Sequence, residues 1–548
     1  MRYTAGILVL AALAATLAHT QTLPHFQHII ILFQENRTPD NLFGGNLTFE
    51  PGVDLQQSQL AQPWCLGACF DPNHSHPSFE AILNPPSPQA PMCNGGKSSC
   101  SNTVVACAPQ GTYCNGRLIT QTPNNAQETY VSPTYDGSVV APYFDIATKY
   151  GFANYMFQTN EGPSNPAHQF IFSGTSSASG NSGQQYYLDF AAENPHDSAN
   201  TGCAGDPVNH VLQIDQSGNE NNNMVPPIFP CFDHPTMANL LDPNGIAWKY
   251  YANRHSPAGN SLWTAPNSIK DICDGSPGGS CGGTEWDEHV VLNSQDILDD
   301  IEPPPGVSGS GCDLPAVSWV IPLGDRSDHP GLSAGQDSKL TEFGPTWVAD
   351  VINEVGTTTC TDTLANGLKV PYWQDTAIFV TWDDWGGFWD HVDPDSSAGG
   401  PGVLYNAPGH SCTQFGCGYI YGFRVPLLVV SAYTPAGYVS GACQSPGNCQ
   451  NEKFPYIHDF GSILAFIENN FDLGIGSINP QYPFADNFAP DYKKAPLNVP
   501  LADFFGLTTP RQFQPIVLPS GWQGYDANYF LNYNGPIMDP DNDVIDND

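Results

Sequence analysis

Four short stretches of this chain are apolar at all or nearly all positions, with only an isolated Ser or Thr. They are 29–32 (IIIL), 314–322 (LPAVSWVIP), 376–382 (TAIFVTW) and 425–433 (VPLLVVSAY). A strand with no polar face must be covered on both sides. Between them lie helical patterns. Residues 141–158 show helical spacing followed by a second apolar run, and Ser164 stands before Asn165-Pro166 as a helix start. Residues 236–252 read as a helix, a turn at Pro243-Asn244-Gly245 and a strand; 341–356 as a helix closed by Gly356; and 459–471 as an amphipathic helix capped by Asp459. Buried strands alternating with helices predict an α/β fold with a mostly parallel central sheet. Such sheets place their sites at the carboxyl ends of the strands.

The first residues, MRYTAGILVLAALAATLAHTQ, read as a secretory signal peptide over 1–20: a positive start, a short apolar stretch and small residues near 18–20. No later segment has the twenty apolar residues of a membrane-spanning helix. The expected organisation is a single catalytic domain over 21–500 and a C-terminal extension over 501–548, packed on the domain or trailing it. A long insertion rich in Cys, Pro, Asn and Gly occupies about 53–130. All 16 cysteines follow residue 64, and in an exported chain they read as up to eight disulfides. The near neighbours 65/69, 93/100, 107/114, 273/281, 412/417 and 443/449 are taken as loop staples. Asp+Glu 54 against Lys+Arg 16 gives a formal charge of −38. That surface repels nucleic-acid backbones and anionic membranes. It suits either an exported protein working in acid or simple solubility.

Carboxylates gather where the strands end. In 379–391, FVTWDDWGGFWDH, Asp383 and Asp384 stand between Trp382 and Trp385 with no Lys or Arg close in sequence. Adjacent carboxylates resist desolvation unless a cation lies between them. Glu35-Asn36 follows the first strand, and with the aspartates it makes an oxygen-rich set suited to a divalent ion. Ser164, at a helix start, sits where backbone N–H groups favour an anion, and near a metal its hydroxyl becomes a nucleophile. Plainer readings stand beside these: Ser164 as an ordinary helix cap, Glu35 as a turn residue paired with Arg37, and each lone histidine as a loop or core residue.

The stretch HIIILFQENRTPDNLFG (28–44) closely resembles the opening motif of the bacterial phosphoesterase family of phosphatidylcholine-type phospholipases C and related acid phosphatases. The resemblance continues in GPSNPAHQFIFSGTS, in PAVSWVIP followed by SDHPG, in DTAIFVTWDDWGGFWDHVDP, in RVPLLVVSAY and in GSILAFIENNF, in the family's order from about 25 to 475. It implies an alkaline-phosphatase-like fold, a doubly wound sheet with helices on both faces, and one divalent metal ion (Ca, Mg, Mn or Zn). By motif, Glu35, Asn36, Asp383 and Asp384 match the metal ligands and Ser164 the nucleophile that becomes phosphorylated. His329 matches a histidine lining the phosphate site, with His74 and then His391 as further candidates. Two departures stand out. Thr38-Pro39 replaces Ser-Phe, and Trp382-Asp383-Asp384-Trp385-Gly386-Gly387 replaces Tyr-Asp-Glu-His-Gly-Gly. The expected function is a secreted or periplasmic metal-dependent phosphoesterase of phospholipase C type, with His329 or His74 protonating the leaving alcohol. An acid phosphatase is the alternative, and an inactive exported binding protein is the alternative of another class. Trp382, Trp385 and Trp389 read either as a cage for a choline-like cation or as core.

Overall fold

The computed structural model describes residues 23–57, 139–177, 201–214, 227–252, 261–303, 312–330, 342–392, 421–444, 457–474 and 498–533, with parts of 63–79, 130–131, 190–196, 394, 403–405 and 419–420. The signal-peptide stretch, most of the 53–130 insertion, the cysteine pairs 65/69, 93/100, 107/114 and 412/417, and the last residues of the C-terminal extension lie outside the described residues.

Eight strands form one sheet: β1 His28–Gln34, β2 Gly151–Ala153, β3 Trp248–Tyr251, β4 Val290–Val291, β5 Val317–Val320, β6 Thr376–Trp382, β7 Leu427–Ser431 and β8 Tyr438–Ser440, in the spatial order β8-β2-β7-β6-β1-β5-β3-β4. Only β7 runs against the rest. The predominantly apolar runs are the central strands, buried along their whole length. Because β7 is reversed, residues just before it, including Arg424, share a sheet edge with residues just after β1 and β6.

Four helices cover the sheet: α1 Ala141–Lys149, α2 Ser164–Ser173, α3 Gly344–Thr357 and α4 Phe460–Asn470. Alternation of side chains along a strand shows that both faces are covered. Phe33 meets His168 of α2 and Phe460 of α4, with ring centroids 4.9 and 5.3 Å away. Trp382, whose register partner is Gln34 on the opposite face, meets Tyr143 of α1 at 5.1 Å. The sheet is therefore wound on both faces, as expected. Residues 498–533 pack onto this body: Phe505 lies against Phe26 and Phe466, and Phe530 against Phe343 and Trp347.

Three local expectations change. Helix α3 continues through Thr357, and Gly356 is not its cap. A Cβ on Gly356 would lie 2.3 Å from the Phe513 ring, so the glycine serves close packing. Ser164 is the first residue of α2, not its cap: Pro163 precedes it, and Asn194 Oδ1 accepts from the Asn165 amide at 2.9 Å. The disulfides are not all local. Cys273–Cys281 forms as expected, but Cys203–Cys231 and Cys312–Cys360 span 28 and 48 residues. Cys443 is disulfide-bonded, with Cys449 outside the described residues. Asp459 does cap α4, in a reciprocal capping box with Ser462.

Candidate active site

Parallel pairing of β1 with β6 aligns Gln34 with Trp382, so the next residue on each strand, Glu35 and Asp383, leaves the sheet at the same edge. The Asp383 amide donates to Gln34 O at 2.9 Å. Asp383 Oδ1 accepts from the Asn36 amide at 2.8 Å and the Asp384 amide at 2.7 Å. Asp384 Oδ1 accepts from the Gly386 amide at 2.6 Å. The two turns interlock closely. Asn36 sits at φ 58° and Gly386 at φ 61°, and a Cβ at 386 would lie 2.5 Å from Asn36 O. Asparagine tolerates the left-handed region better than most residues, and glycine fits where backbones touch. Helix α2 then presents two side chains one turn apart. Ser164 Oγ donates to Asp384 Oδ2 over a long 3.4 Å, and His168 Nε2 lies 3.1 Å from Glu35 Oε1.

All of these side chains are buried. One ligand atom from each of Glu35, His168 and Asp383 lies within 4.8 Å of the others. Burial pushes the Asp383 carboxyl up, but Glu35, His168, the Ser164 hydroxyl and the Asn36 amide outweigh it and hold Asp383 below the usual carboxylate range. Burial pushes His168 down to about 4, against the pull of Asp383. A neutral imidazole cannot balance the carboxylates gathered here, and buried charges of one sign call for a cation. Asn36 adds an oxygen. His74 Nδ1 donates to Pro72 O at 2.8 Å, so its Nε2 accepts from Asn36 Nδ2 at 3.2 Å. That fixes the amide and leaves Asn36 Oδ1 buried with no hydrogen-bond partner among the described residues. Carboxylates, an amide oxygen and an imidazole nitrogen fit a divalent metal ion.

The site brings together Glu35, Asn36, Asp383, Asp384, Ser164, His74 and His329. The His74 and His329 rings lie 6.5 Å apart, and Trp263 joins His329 at 5.8 Å to His168 at 6.2 Å. His329 Nδ1 donates to Pro330 O at 2.5 Å, and burial, then His74, push this imidazole down to about 3. His391 is not brought in: its ring nitrogens contact Asp40 at 2.6 Å and Asp54 at 3.1 Å. Nor does Arg37 behave as a simple turn partner. Its guanidinium donates to Asp328 O, Leu66 O and Asn41 Oδ1 and lies under the Phe388 ring. Sequence reading missed His168, although its signal was present: a histidine four residues after Ser164 must share that helix face. It also missed Asp328, at φ 69°, which accepts from Tyr143 Oη at 2.6 Å and Trp382 Nε1 at 3.1 Å and carries His329 as the next residue.

The model of the Phosphoesterase family matches residues 26–474, a span that contains every one of these side chains. The chain belongs to the Phosphoesterase family. It is 24% identical over 497 residues to a non-hemolytic phospholipase C of Burkholderia pseudomallei, covering 83% of this chain and 56% of that protein. It is 32% identical over 127 residues to phospholipase C A of Mycobacterium tuberculosis, covering 22% of this chain and 21% of that protein. The chain thus spans about half the length of the first of these relatives. Among solved structures, a protein in the alkaline phosphatase superfamily from Vibrio parahaemolyticus aligns with a TM-score of 0.26 and 10% identity, over 75% of this chain and 63% of that chain. Overlap at that level does not bear on the site. No helix among the described residues is long and apolar enough to cross a membrane.

The two departures from the family pattern have local explanations. Thr38 caps the short helix Pro39–Phe43 through Asn41 N at 3.0 Å, with Pro39 in its first turn, and Thr38 Oγ1 donates to Trp389 O at 2.8 Å. The changed residues therefore still tie the 35–43 segment to the 383–391 segment. Trp385, where the family usually has histidine, is fully buried against His74, Phe79 and Phe423. Trp382 is likewise buried, between Tyr143 and Asp328. Both tryptophans take the core reading, not that of an open cage.

Proposed function

We propose that this chain is a metal-dependent phosphoesterase that works through a phosphoserine on Ser164, with phospholipase C-type diesters as substrates. One observation carries the reading: three chain-distant segments place ligand atoms of Glu35, His168 and Asp383 within 4.8 Å of one another, beside a serine that opens a helix. Glu35, Asn36, Asp383, Asp384 and His168 would hold the ion. When bound, a divalent ion supplies positive charge that favours an ionised serine and meets charge on the phosphoryl oxygens.

Asp384 Oδ2 takes the proton of Ser164 Oγ. The Oγ–P bond forms as the bond from phosphorus to the departing alcohol oxygen breaks, in line. The positive end of α2 complements the charge that spreads over phosphorus, although the Asn165 amide is taken by Asn194 Oδ1 and residue 166 is proline. His329 or His74 passes a proton to the alcohol oxygen. His329 is the better placed, because its Nε2 makes no hydrogen bond among the described residues while Asn36 engages Nε2 of His74. Negative charge on a bound phosphoryl group would raise its depressed pKa toward the working range. Water then attacks phosphorus and the P–Oγ bond breaks; Asp384 returns its proton to Ser164 Oγ, and one proton of the water restores the histidine.

The relatives named phospholipase C support a diester substrate, and a formal charge of −38 opposes nucleic acid as that diester. The disulfides Cys203–Cys231, Cys273–Cys281 and Cys312–Cys360 support an oxidising compartment, secreted or periplasmic. Purified protein is to be assayed on p-nitrophenyl phosphate and p-nitrophenyl phosphorylcholine between acid and neutral pH, with and without chelator. The expected result is diester turnover that chelation abolishes and that falls at least about a thousandfold in Ser164→Ala. Turnover of the monoester alone would assign the chain to the acid phosphatases. Near-normal turnover by Ser164→Ala would remove the nucleophile assignment, and no turnover of either ester would favour a binding protein.

A further inference from the structure

A separate group of buried charges joins the same two loops further along the chain. His391 lies between two carboxylates, with Nδ1 2.6 Å from Asp40 Oδ2 and Nε2 3.1 Å from Asp54 Oδ1, and its backbone amide donates to Asp40 Oδ2 at 2.7 Å. Arg424 forks onto Asp390 through Nε at 2.9 Å and Nη2 at 3.0 Å. Its Nη1 donates to the carbonyls of Asp54 at 3.0 Å and Asn154 at 2.8 Å, and its Nη2 lies 3.6 Å from Asp40 Oδ1. Tyr155 Oη donates to Asp54 Oδ2 at 2.8 Å, and the Gln56 amide to Asp40 Oδ1 at 2.8 Å. Every charged side chain here is buried.

Two other readings fit these contacts less well. Asp40, Asp390 and His391 do form a ligand-like triple, but the Arg424 guanidinium already lies among them, and two backbone carbonyls also hold it. A catalytic role for His391 needs a ring nitrogen that can reach substrate, and both nitrogens face carboxylates. What the group does have is the right connectivity. Asp40 follows Asn36 by four residues, Asp390 and His391 follow Asp384 by six and seven, and Arg424 stands just before β7. We propose that the Asp40–His391–Asp54 bridge and the Arg424–Asp390 fork form a charged staple. It holds the 35–36 and 383–384 segments in register for the metal, so His391 is a positioning residue and not a catalytic one.

This inference rests on the metal-dependent reading, so the test first measures the wild-type protein. Metal-depleted wild type is titrated calorimetrically with Mn²⁺, Ca²⁺ and Zn²⁺, and the tightest ion is carried forward to His391→Gln. Residues hydrogen-bonded to a metal ligand typically alter metal affinity about 10- to 100-fold. His391, which acts through the loops that carry the ligands, is expected near the lower end of that range, about tenfold. The expected result is a dissociation constant raised by about that factor, with kcat at saturating metal within a few-fold of wild type. Chemical denaturation of the metal-free proteins serves as the control, since a purely structural role moves the midpoint and leaves the affinity unchanged. Affinity within twofold of wild type would overturn the staple. So would an unchanged affinity with kcat reduced about a thousandfold, the mark of a group that touches substrate. If His391→Gln does not fold, Asp54→Asn decides. It keeps the shape and removes one charge, and weaker metal binding supports the staple while unchanged binding overturns it. A wild-type protein that binds none of the three ions would overturn the metal-dependent reading, and this inference with it.

Discussion

At the scale of single residues, the site depends on how neighbours fix the orientation of each donor. Asn36 presents its amide oxygen only because His74 Nε2 accepts from its Nδ2, and His74 is set in that tautomer by Pro72 O. His168 faces Glu35 because it lies four residues after Ser164 on one helix. If His168 helps to hold the ion, His168→Ala leaves a folded protein that loses metal on dialysis. Because His168 would be a direct ligand, its loss should lower affinity by more than the roughly 10- to 100-fold typical of residues that only orient a ligand, read by elemental analysis of the dialysed protein. Metal content equal to wild type would return His168 to a purely packing role.

At the scale of elements, α2 carries Ser164, the proposed nucleophile, and α4 stands behind it, with Phe33 between His168 and Phe460. The start of α4 is secured by Asp459, which accepts from the Ser462 amide at 2.8 Å while Ser462 Oγ accepts from the Asp459 amide. Removing such a cap costs about 1 kcal/mol. Asp459→Ala should lower unfolding stability by more than that in chemical denaturation, because Asp459 Oδ2 also accepts from the buried Tyr421 Oη at 2.6 Å. Asp459→Asn, which can still accept from Ser462, should stay closer to wild type. Equal losses in the two variants would show that the carboxylate charge matters, not the cap. The same scale explains the misjudged end of α3. A glycine near a helix end signals a cap only when it takes a left-handed conformation. Gly356 remains helical because its missing side chain makes room for Phe513.

At the scale of the molecule, titration links many buried groups to one stability curve. Burial, then Asp526 and Glu354, push Asp350 up to about 9; burial, then Asp362, push Asp375 up to about 8. Burial opposes protonation of His391, but Asp40 and Asp54 prevail and raise it to about 9. Each of these folded values lies above the ordinary 3.8 or 6.5. Their stabilisation is present at lower pH and is lost as pH rises through the folded value. The formal −38 counts these acids as ionised, so the chain approaches that self-repelling charge only as they titrate. The unfolding temperature should therefore fall between about pH 7 and pH 9, and fall less steeply in His391→Gln, as read by scanning calorimetry across that range. A flat or rising profile would contradict these shifts.

Short β-branched runs without a polar face determined the sheet, because such strands are stable only when covered on both sides. β1, β6 and β7 lie where 29–32, 376–382 and 425–433 placed them. Carboxylates after those runs marked the site edge for the same local reason: uncompensated acidic pairs are costly to bury without a cation. Local pattern could not show that β7 runs backwards, that cysteines 28 and 48 residues apart would pair, or that His391 would be locked between Asp40 and Asp54. Each of those depends on contacts between segments far apart in the chain. Apolar runs specify burial but not direction, and a histidine's role is set by the carboxylates that the fold brings to its two nitrogens.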